Sequence, residues 1–203
     1  PESFLGPQLV NSFCLFPVTS KEIEDEIQNL NSSKATGPFS IPVYLLKILK
    51  TCLSKPLEIL FNYSFINGCV PDQLKLANVI PVHKKGLATC LTNYRPISLL
   101  SVFNKILEKL MYKRLIAFID KYNILYEKQF GFRERHSTTH AALIITDRIQ
   151  RAIEEGQYSC GIFLDFSKVF DTVNHSILLK KLSHYGIRDI TNKWFASYLS
   201  NRR

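Results

Sequence analysis

Apolar positions along the chain follow two spacings, one typical of helices and one typical of strands. Steps of three and four, with capping residues or glycines at their ends, predict seven helices: 19–30, 43–50, 56–67, 103–118, 137–155, 174–182 and 189–199. Short apolar runs between turn residues predict strands at 76–83 and 158–164, and an extended segment at 92–100 whose Pro96 indicates an edge or a bend. The predicted fold class is therefore α+β, with most residues helical.

The predicted helix ends depend on residues that favour helix termini. Thr19 or Ser20 can cap the first helix, because a side-chain oxygen there accepts a hydrogen bond from the first turn. Asn174 or Ser176 can cap the sixth helix in the same way. Gly68 is expected to end the third helix, since glycine readily adopts the left-handed conformation of a C-terminal cap.

The fourth predicted helix has one apolar and one basic face. Its apolar positions recur at the spacing of a buried stripe and are Phe103, Leu107, Met111, Leu115 and Phe118. Steps of four separate the basic positions of the opposite face, which are Lys105, Lys109 and Lys113. We therefore expect this helix to bury one side and to offer a row of ammonium groups, as nucleic-acid-binding residues, on the other.

The composition indicates a hydrophobic core and a basic surface that could bind a partner. Hydrophobic residues make up 46% of the 203 positions, which excludes wholesale disorder. The net charge is +9, and residues 81–135 contain eleven basic against four acidic side chains. Clustered positive charge suits a surface that follows phosphates, so nucleic acid or an anionic membrane is the expected partner. A solvated helix face is the alternative interpretation.

Other features of the sequence indicate an intracellular protein. No apolar run approaches the roughly 18 residues that a membrane-spanning helix needs. The five cysteines are scattered without a Cys-x-x-Cys pair, which indicates reduced thiols. The chain begins at Pro1 with neither an initiator Met nor a secretory leader, so we expect it to be a piece of a longer polypeptide.

A carboxylate ends the apolar run of the last predicted strand. Asp165 stands where this strand meets a turn, a rigid position that suits a metal ligand, although capping of the next helix would also explain it. A calcium loop is excluded, because the sixth residue from Asp165 is Phe170 and the twelfth is Ser176. Ser167 excludes the phosphatase pattern that has a second Asp at that place. Metal-assisted nucleotidyl transfer is the remaining hypothesis.

Two weaker patterns point to no chemistry of their own. His136 and His140 lie one helical turn apart, but without a third ligand nearby a hydrogen-bonded helix start is favoured over a metal pair. The loop at 34–40 contains one Gly and no Gly-Lys-Ser/Thr, which excludes a phosphate-binding P-loop.

Several segments carry a specific resemblance. They are KATGPFSIPVYLLK (34–47), VIPVHKKG (79–86) with NYRPISLL (93–100), QFGFRERHSTTHA (129–141), IFLDFSKVFDTVNHSILLKKL (162–182) and SYLSNRR (197–203). These segments resemble, in the same order, sequence blocks in the reverse transcriptases of non-LTR (LINE-type) retrotransposons. The blocks are an early fingers block, the nucleotide-side fingers block, the block before motif A, motif A and the segment after it. The sequence is thereby identified as similar to an RNA-directed DNA polymerase.

The resemblance implies roles around a metal site. Asp165 takes the place of the motif A carboxylate that binds both catalytic magnesium ions, and the backbone carbonyl of Phe166 that of a further ligand. Two such ions neutralise the triphosphate and activate the primer 3′-hydroxyl for in-line attack. Phe170 takes the place of the aromatic ring against the sugar 2′ position, which would favour deoxynucleotides.

The resemblance also implies contacts to the substrates. Arg95 matches the fingers arginine that grips the incoming triphosphate, for which a bidentate guanidinium is well shaped, although a structural salt bridge is the alternative. Lys84 or Lys85 would assist, and the sequence leaves this choice open. Arg133 and Arg135 would contact the template backbone or the nucleotide. The implied partners are an RNA template, a DNA primer and deoxynucleoside triphosphates.

The implied fold is a right-hand polymerase with helix-rich fingers and a partial palm, truncated before the remaining palm and thumb. We assign 1–30 to an N-terminal helical extension, 31–157 to the fingers and 158–203 to the partial palm with motif A. The implied location is intracellular, in the nucleus, the cytoplasm or both.

The sequence also departs from the family pattern. Phe39 and Ser40 stand where Asp-Gly is usual, and Val169 stands where a small Ala is usual. No Phe/Tyr-Ala-Asp-Asp motif follows, so we expect these 203 residues alone to be inactive as a polymerase. The alternative function is that of a non-catalytic nucleic-acid-binding remnant, or a host-adopted piece, of a decayed element.

Overall fold

The computed structural model describes residues 5–32, 37–38, 41–166 and 169–202. Over these residues the helices are α1 (Ser20–Gln28), α2 (Val43–Ile48), α3 (Lys50–Asn67), α4 (Val102–Lys121), α5 (Thr138–Glu154), α6 (His175–His184) and α7 (Asp189–Leu199). The strands are β1 (Ala77–His83) and β2 (Tyr94–Leu100), and short 3-10 turns span Asp72–Lys75 and Leu91–Asn93. Phe39 and Ser40, two of the departures from the family pattern, lie outside the described residues.

The described residues group into two compact units. The first contains those up to Phe118 together with those from Asn174 onward, and the second is Ile119–Val173. This grouping follows spatial contacts rather than function. The assignment of 1–30, 31–157 and 158–203 to extension, fingers and palm therefore stays a prediction.

The core of the first unit is built from residues of α1, α3, α4 and α7. Helix α1 packs on α3, and α3 and α6 both pack on α7. The side chains that these contacts bury most completely are aliphatic or aromatic, and they include Ile23, Ile27, Phe61, Leu107, Leu110 and Trp194. Burial of such side chains is the dominant stabilising contribution to a fold of this size.

Local capping signals fix the ends of several helices as predicted. At α1, Thr19 Oγ1 accepts a hydrogen bond from the Glu22 N–H (3.2 Å) and the Glu22 carboxylate accepts one from the Thr19 N–H (2.9 Å). This reciprocal pair is a capping box. Asn174 caps α6 by accepting hydrogen bonds from two backbone N–H groups, and Gly68 ends α3 with φ 61°.

The start of the third helix was predicted wrongly. The sequence predicted a start at Pro56, but α3 begins at Lys50 and contains Pro56 in its interior. Leu49 alone joins α2 to α3, so the second helix ends at Ile48. The cost of an interior proline is offset by the burial of Leu57 and of two phenylalanines further along α3.

Strands β1 and β2 form an antiparallel hairpin. The strand and the extended segment were predicted, but their pairing was not. The register pairs Ala77 with Leu100, and it places Pro81 directly opposite Pro96. In a two-stranded sheet both strands are edges, which confirms the interpretation of Pro96 as an edge signal. Side chains on both faces of the hairpin remain largely exposed, among them Val79 and Ile80.

The strand predicted at 158–164 is absent from the described part of the chain. These residues form no ladder, and side chains such as Ile162 (83% exposed) and Phe163 (88% exposed) face solvent. A strand is stable only when a neighbour satisfies its backbone donors and acceptors, whereas an apolar run alone measures only the tendency to be buried. The physical reason for the error is that the described residues provide no pairing partner here.

Helix α7 docks on the first unit through residues of the C-terminal block. Trp194 Nε1 donates to Ser64 Oγ on α3 (3.0 Å), and Ser197 Oγ accepts from the Val70 N–H (3.0 Å). The Tyr198 hydroxyl donates to the Glu108 carboxylate of α4. Burial, followed by the neighbouring Glu108 charge, raises the pKa of Tyr198 to about 12.

Candidate active site

The β1–β2 hairpin carries Arg95 and Lys84 on the same face. Arg95 lies directly opposite Val82, and the Lys84 N–H donates to the Asn93 carbonyl (2.8 Å), which continues the ladder one residue past β1. Side chains two residues apart on a strand share a face, so Lys84 is the diagonal neighbour of Arg95. Such neighbours are typically about 7–8 Å apart, within reach of one triphosphate.

The cationic face is exposed, and the neighbouring turn is fixed by hydrogen bonds. Both Arg95 and Lys84 are exposed, and neither forms an ion pair with a residue that the structure describes. The Asn93 side chain donates to the Leu87 carbonyl (2.9 Å), and Tyr94 Oη donates to the Ala88 carbonyl (2.8 Å). The alternative of a structural salt bridge for Arg95 therefore finds no partner within the described ranges.

Gly37, in the early block, lies against the end of the hairpin. A Cβ atom on Gly37 would lie 2.3 Å from the Leu100 carbonyl oxygen, a distance that no side chain can adopt. Glycine is thus required at this position so that the chain can pass close to the end of β2. This contact gives a physical reason for one residue of the 34–47 block.

The basic face of α4 makes contacts that the sequence did not indicate. The buried positions of this helix include Leu107, Met111 and Phe118, as expected, and Lys109 and Lys113 both contact the carboxylate of Glu26 on α1. The Lys109 Nζ to Glu26 Oε2 distance is 3.4 Å. The two lysine side chains are still 46% and 60% exposed, and their role as nucleic-acid-binding residues stays a prediction.

Glu26 and Arg114 are two residues that the sequence interpretation missed. Glu26 is 2% exposed and lies in phase with Ile23 and Ile27 on the buried face of α1, which was the available signal. Arg114 donates to both carboxylate oxygens of Glu22 at 3.0 Å. It also donates to two backbone carbonyls of the N-terminal segment, at residues 16 and 17.

The Arg114 contact changes the acidity of its partner. Burial by itself would raise the pKa of the Glu22 carboxyl. The hydrogen bonds from Arg114 and from Thr19 outweigh that effect, so the pKa of Glu22 lies below its ordinary value. The pairing therefore favours the ionised carboxylate and strengthens the attachment of α1 to α4.

Asp165 lies in the second unit, near the start of the motif A sequence and in a segment without regular secondary structure. The residue is exposed, and the neighbouring Phe166 side chain is 72% exposed. The Asp165 carboxylate and the Phe166 carbonyl are hard oxygen donors of the kind that Mg²⁺ prefers. Within the described ranges no group of three or more His, Cys, Asp or Glu side chains could hold a metal ion.

Phe170 lies close to an aromatic residue from the block before motif A. Its ring contacts that of Phe132 edge to face, with centroids 5.9 Å apart and planes at 87°. Thr172 Oγ1 donates to the Val169 carbonyl (3.2 Å) and closes the turn that contains Phe170. The sequence interpretation singled out Phe170 but missed Phe132, since no local pattern indicates a contact between distant loops.

Arg133 and Arg135 lie on the loop before α5. Arg133 Nη1 donates to the Tyr126 carbonyl (3.3 Å), whereas Arg135 is exposed and has a backbone φ of 59°. Ser137 caps α5 by accepting from the His140 N–H (3.3 Å), and His136 Nδ1 lies 2.9 Å from the Glu134 carbonyl oxygen. The two histidines thus take part in a hydrogen-bonded helix start, as the sequence favoured.

Comparisons with known proteins give consistent results. Residues 82–203 match the family model described as Reverse transcriptase (RNA-dependent DNA polymerase). The chain is 31% identical, over 98% of its length, to a protein named as the probable RNA-directed DNA polymerase from transposon BS of Drosophila melanogaster. It is 33% identical, over 89% of its length, to the RNA-directed DNA polymerase from mobile element jockey of the same species.

A more distant relative comes from a different insect. The chain is 26% identical, over 91% of its length, to the Pol polyprotein from retrotransposable element R2 of Popillia japonica. The chain spans only 22% of the transposon BS protein and 20% of the jockey protein.

Among the described residues, no helix is long and apolar enough to cross a membrane.

Proposed function

Because the chain belongs to the reverse transcriptase (RNA-dependent DNA polymerase) family, we propose that it supplies part of the nucleotidyl-transfer site of a non-LTR retrotransposon polymerase. The observation that carries this proposal is the family match over 82–203, which contains Lys84, Arg95, Asp165 and Phe170. The family has a polymerase fold, with which the mixed helix and strand content is compatible, and generally uses divalent metal ions. The proposed substrates are an RNA template, a DNA primer and deoxynucleoside triphosphates.

The triphosphate would bind on the cationic face of the hairpin. Arg95 offers a planar guanidinium for bidentate contact with phosphate oxygens, and Lys84 adds a point charge beside it. Lys85 follows Lys84 in the turn and so does not share its position opposite Asn93. The shared face therefore favours Lys84 over Lys85 as the assisting lysine.

Two Mg²⁺ ions are the proposed cofactor, and Asp165 with the Phe166 carbonyl would hold them. These donors fit in kind, because Mg²⁺ sites commonly combine one or two carboxylates with substrate phosphates and water. Bound there, the ions would supply charge neutralisation and an activated primer hydroxyl. Asp165 itself orients this arrangement, and its exposure leaves it accessible to a triphosphate.

Phe170 would lie against the 2′ position of the sugar, and its 76% exposed ring leaves it free to contact a nucleotide. Arg133 and Arg135 would contact the template backbone or the nucleotide. Lys105, Lys109 and Lys113 remain proposed nucleic-acid contacts on α4, and Lys109 and Lys113 also hold Glu26.

The test compares incorporation with binding in a polymerase of the relatives' full length that contains this chain. Asp165→Ala should abolish metal-dependent primer extension and leave affinity for the RNA template nearly unchanged, because the side chain is exposed. Asp165→Asn is the matched control for charge at constant shape, and it should be equally inactive. Extension that persists in either variant would falsify the role of Asp165.

The alternative of a binding remnant without chemistry is not favoured, since the named relatives are polymerases. Both functions predict salt-dependent RNA binding, so binding alone does not separate them. Deoxynucleotide incorporation separates the two functions, because only the polymerase should show it. A full-length protein that binds RNA tightly but never incorporates a nucleotide with Mg²⁺ would support the alternative.

A further inference from the structure

The contact between Phe132 and Phe170 joins two loops of the second unit that lie far apart in sequence. Phe132 precedes α5, and Phe170 lies in motif A before α6. Their rings meet at 5.9 Å and 87°, the edge-to-face geometry that aromatic pairs prefer. The contact is therefore specific in orientation as well as in distance.

Core packing does not explain Phe132. Its side chain is 86% exposed, so burial from water contributes little to its retention in this place. Its backbone has φ 58°, in the left-handed region that bulky residues rarely adopt. Strained backbone of this kind costs free energy and occurs preferentially at functional sites.

Phe170 needs a neighbour if its ring is to act as a wall. The Phe170 ring is 76% exposed, and within the described ranges its recorded ring contact is with Phe132. An exposed phenylalanine without a packing partner exchanges among its rotamers. A ring that moves in this way cannot exclude a group as small as a 2′-hydroxyl.

We propose that Phe132 is a positioning residue for sugar selection, which holds the ring of Phe170 in the orientation that excludes a 2′-hydroxyl. Phe132 does not touch the sugar in this proposal and acts only through Phe170. The inference rests on the proposed role of Phe170 beside the sugar. It adds a determinant of deoxynucleotide preference from the loop before α5.

The test measures kcat/KM for a deoxynucleotide and for the matching ribonucleotide in a full-length polymerase that contains this chain. Phe132→Ala should lower the ratio of the two by about 2- to 12-fold, the factor that corresponds to one aromatic pair interaction. The loss should arise from faster ribonucleotide incorporation, while kcat for the deoxynucleotide stays within about twofold. Phe132→Tyr keeps the ring and should restore the selectivity.

A double variant separates positioning from direct contact. Phe170→Val should relax selectivity by removing the wall. If Phe132 acts only through that wall, adding Phe132→Ala to Phe170→Val should change the ratio no further. A further loss in the double variant would overturn the proposal, because Phe132 would then act by another route.

A matched control comes from the same loop. Phe130 contacts His136 at 5.9 Å and has no recorded contact with Phe170, so Phe130→Ala should leave the ratio unchanged. An equal loss in this variant would show that any disturbance of the loop suffices and would overturn the specific role of Phe132. If Phe170→Val relaxes selectivity but Phe132→Ala leaves it unchanged, the inference about Phe132 is overturned and the proposed role of Phe170 stands. Unchanged selectivity in Phe170→Val would overturn the proposed wall and the inference together.

Discussion

At the scale of single residues, a positive charge in the sequence is not always a charge available to a ligand. Lys109 and Lys113 surround the buried Glu26, and Arg114 holds Glu22, so three of the basic side chains of α4 attach the helix to α1. Removing one member of such an arrangement leaves the others without their partner, which is the costly change. In contrast, Arg95 and Lys84 have no acidic partner in the described part of the chain.

The hairpin face predicts a difference between two adjacent lysines. Lys84→Ala should raise KM for the deoxynucleoside triphosphate by roughly 10- to 150-fold, because a charge-assisted hydrogen bond contributes about 1.5–3 kcal/mol. Lys85→Ala removes the same charge from the turn and should change KM by less than about threefold. Steady-state primer extension with the full-length polymerase measures both values. The reverse order of effects would assign the triphosphate contact to Lys85.

A residue's role can be proposed from sequence where a local motif carries it, but not where a distant partner does. Asp165 and Arg95 each stand in one contiguous block of sequence, and their roles stay predictions. The contact between Phe132 and Phe170 was not predicted, because it joins separate loops. Glu26 could have been found from its phase with Ile23, but its two lysine partners could not, since they belong to another helix.

At the scale of elements, the same distinction holds for helices and strands. The bounds of α7 and the cap of α1 follow from nearest neighbours along the chain, and both were predicted. The 158–164 strand depends on a partner that local sequence cannot supply. The start of α3 was missed because tertiary packing tolerates Pro56 inside a helix, against its local preference.

The attachment of α7 to α4 gives a prediction about alkaline pH. Since the pKa of Tyr198 is raised to about 12 in the folded state, folding favours the protonated hydroxyl that donates to Glu108. The resulting stabilisation is fully present below the unfolded pKa near 10 and is lost as pH rises through the folded value. Tyr198→Phe should therefore destabilise the chain below pH 10, and the difference from wild type should shrink toward pH 12.

Urea unfolding at a series of pH values measures this difference. Tyr63→Phe is the matched control, because Tyr63 is 68% exposed and its loss should have little effect at any of these pH values. A Tyr198→Phe difference that stays constant from pH 9 to 12 would contradict the assigned hydrogen bond.

At the scale of the whole molecule, the two units differ in how much side-chain surface they bury. Helix α4 contributes seven buried residues, whereas α5, in the second unit, has none. The exposed side chains of α5 include apolar ones such as Leu143, Ile145 and Ile153. A helix without a buried face is held mainly by its own hydrogen bonds, which open locally at small cost.

Amide hydrogen exchange should reveal this difference in the 203-residue polypeptide. Amides in the middle of α5 are expected to exchange roughly tenfold or more faster than those of α4 between Ile106 and Met111. In a full-length polymerase the protection of α5 should rise, because further polypeptide would cover its apolar side chains. Equal protection of both helices in the short chain would contradict the idea that burial sets the difference.

The facing prolines of the hairpin have a consequence for solubility. The hydrogen bond from the Lys84 N–H to the Asn93 carbonyl sets the phase of the antiparallel ladder, and the alternation from there makes Pro81 and Pro96 a non-bonded pair. A residue in such a pair points its backbone nitrogen away from the partner strand, and in proline that nitrogen carries no hydrogen. Each outer edge therefore lacks a donor at its centre, which discourages edge-to-edge aggregation with a second chain.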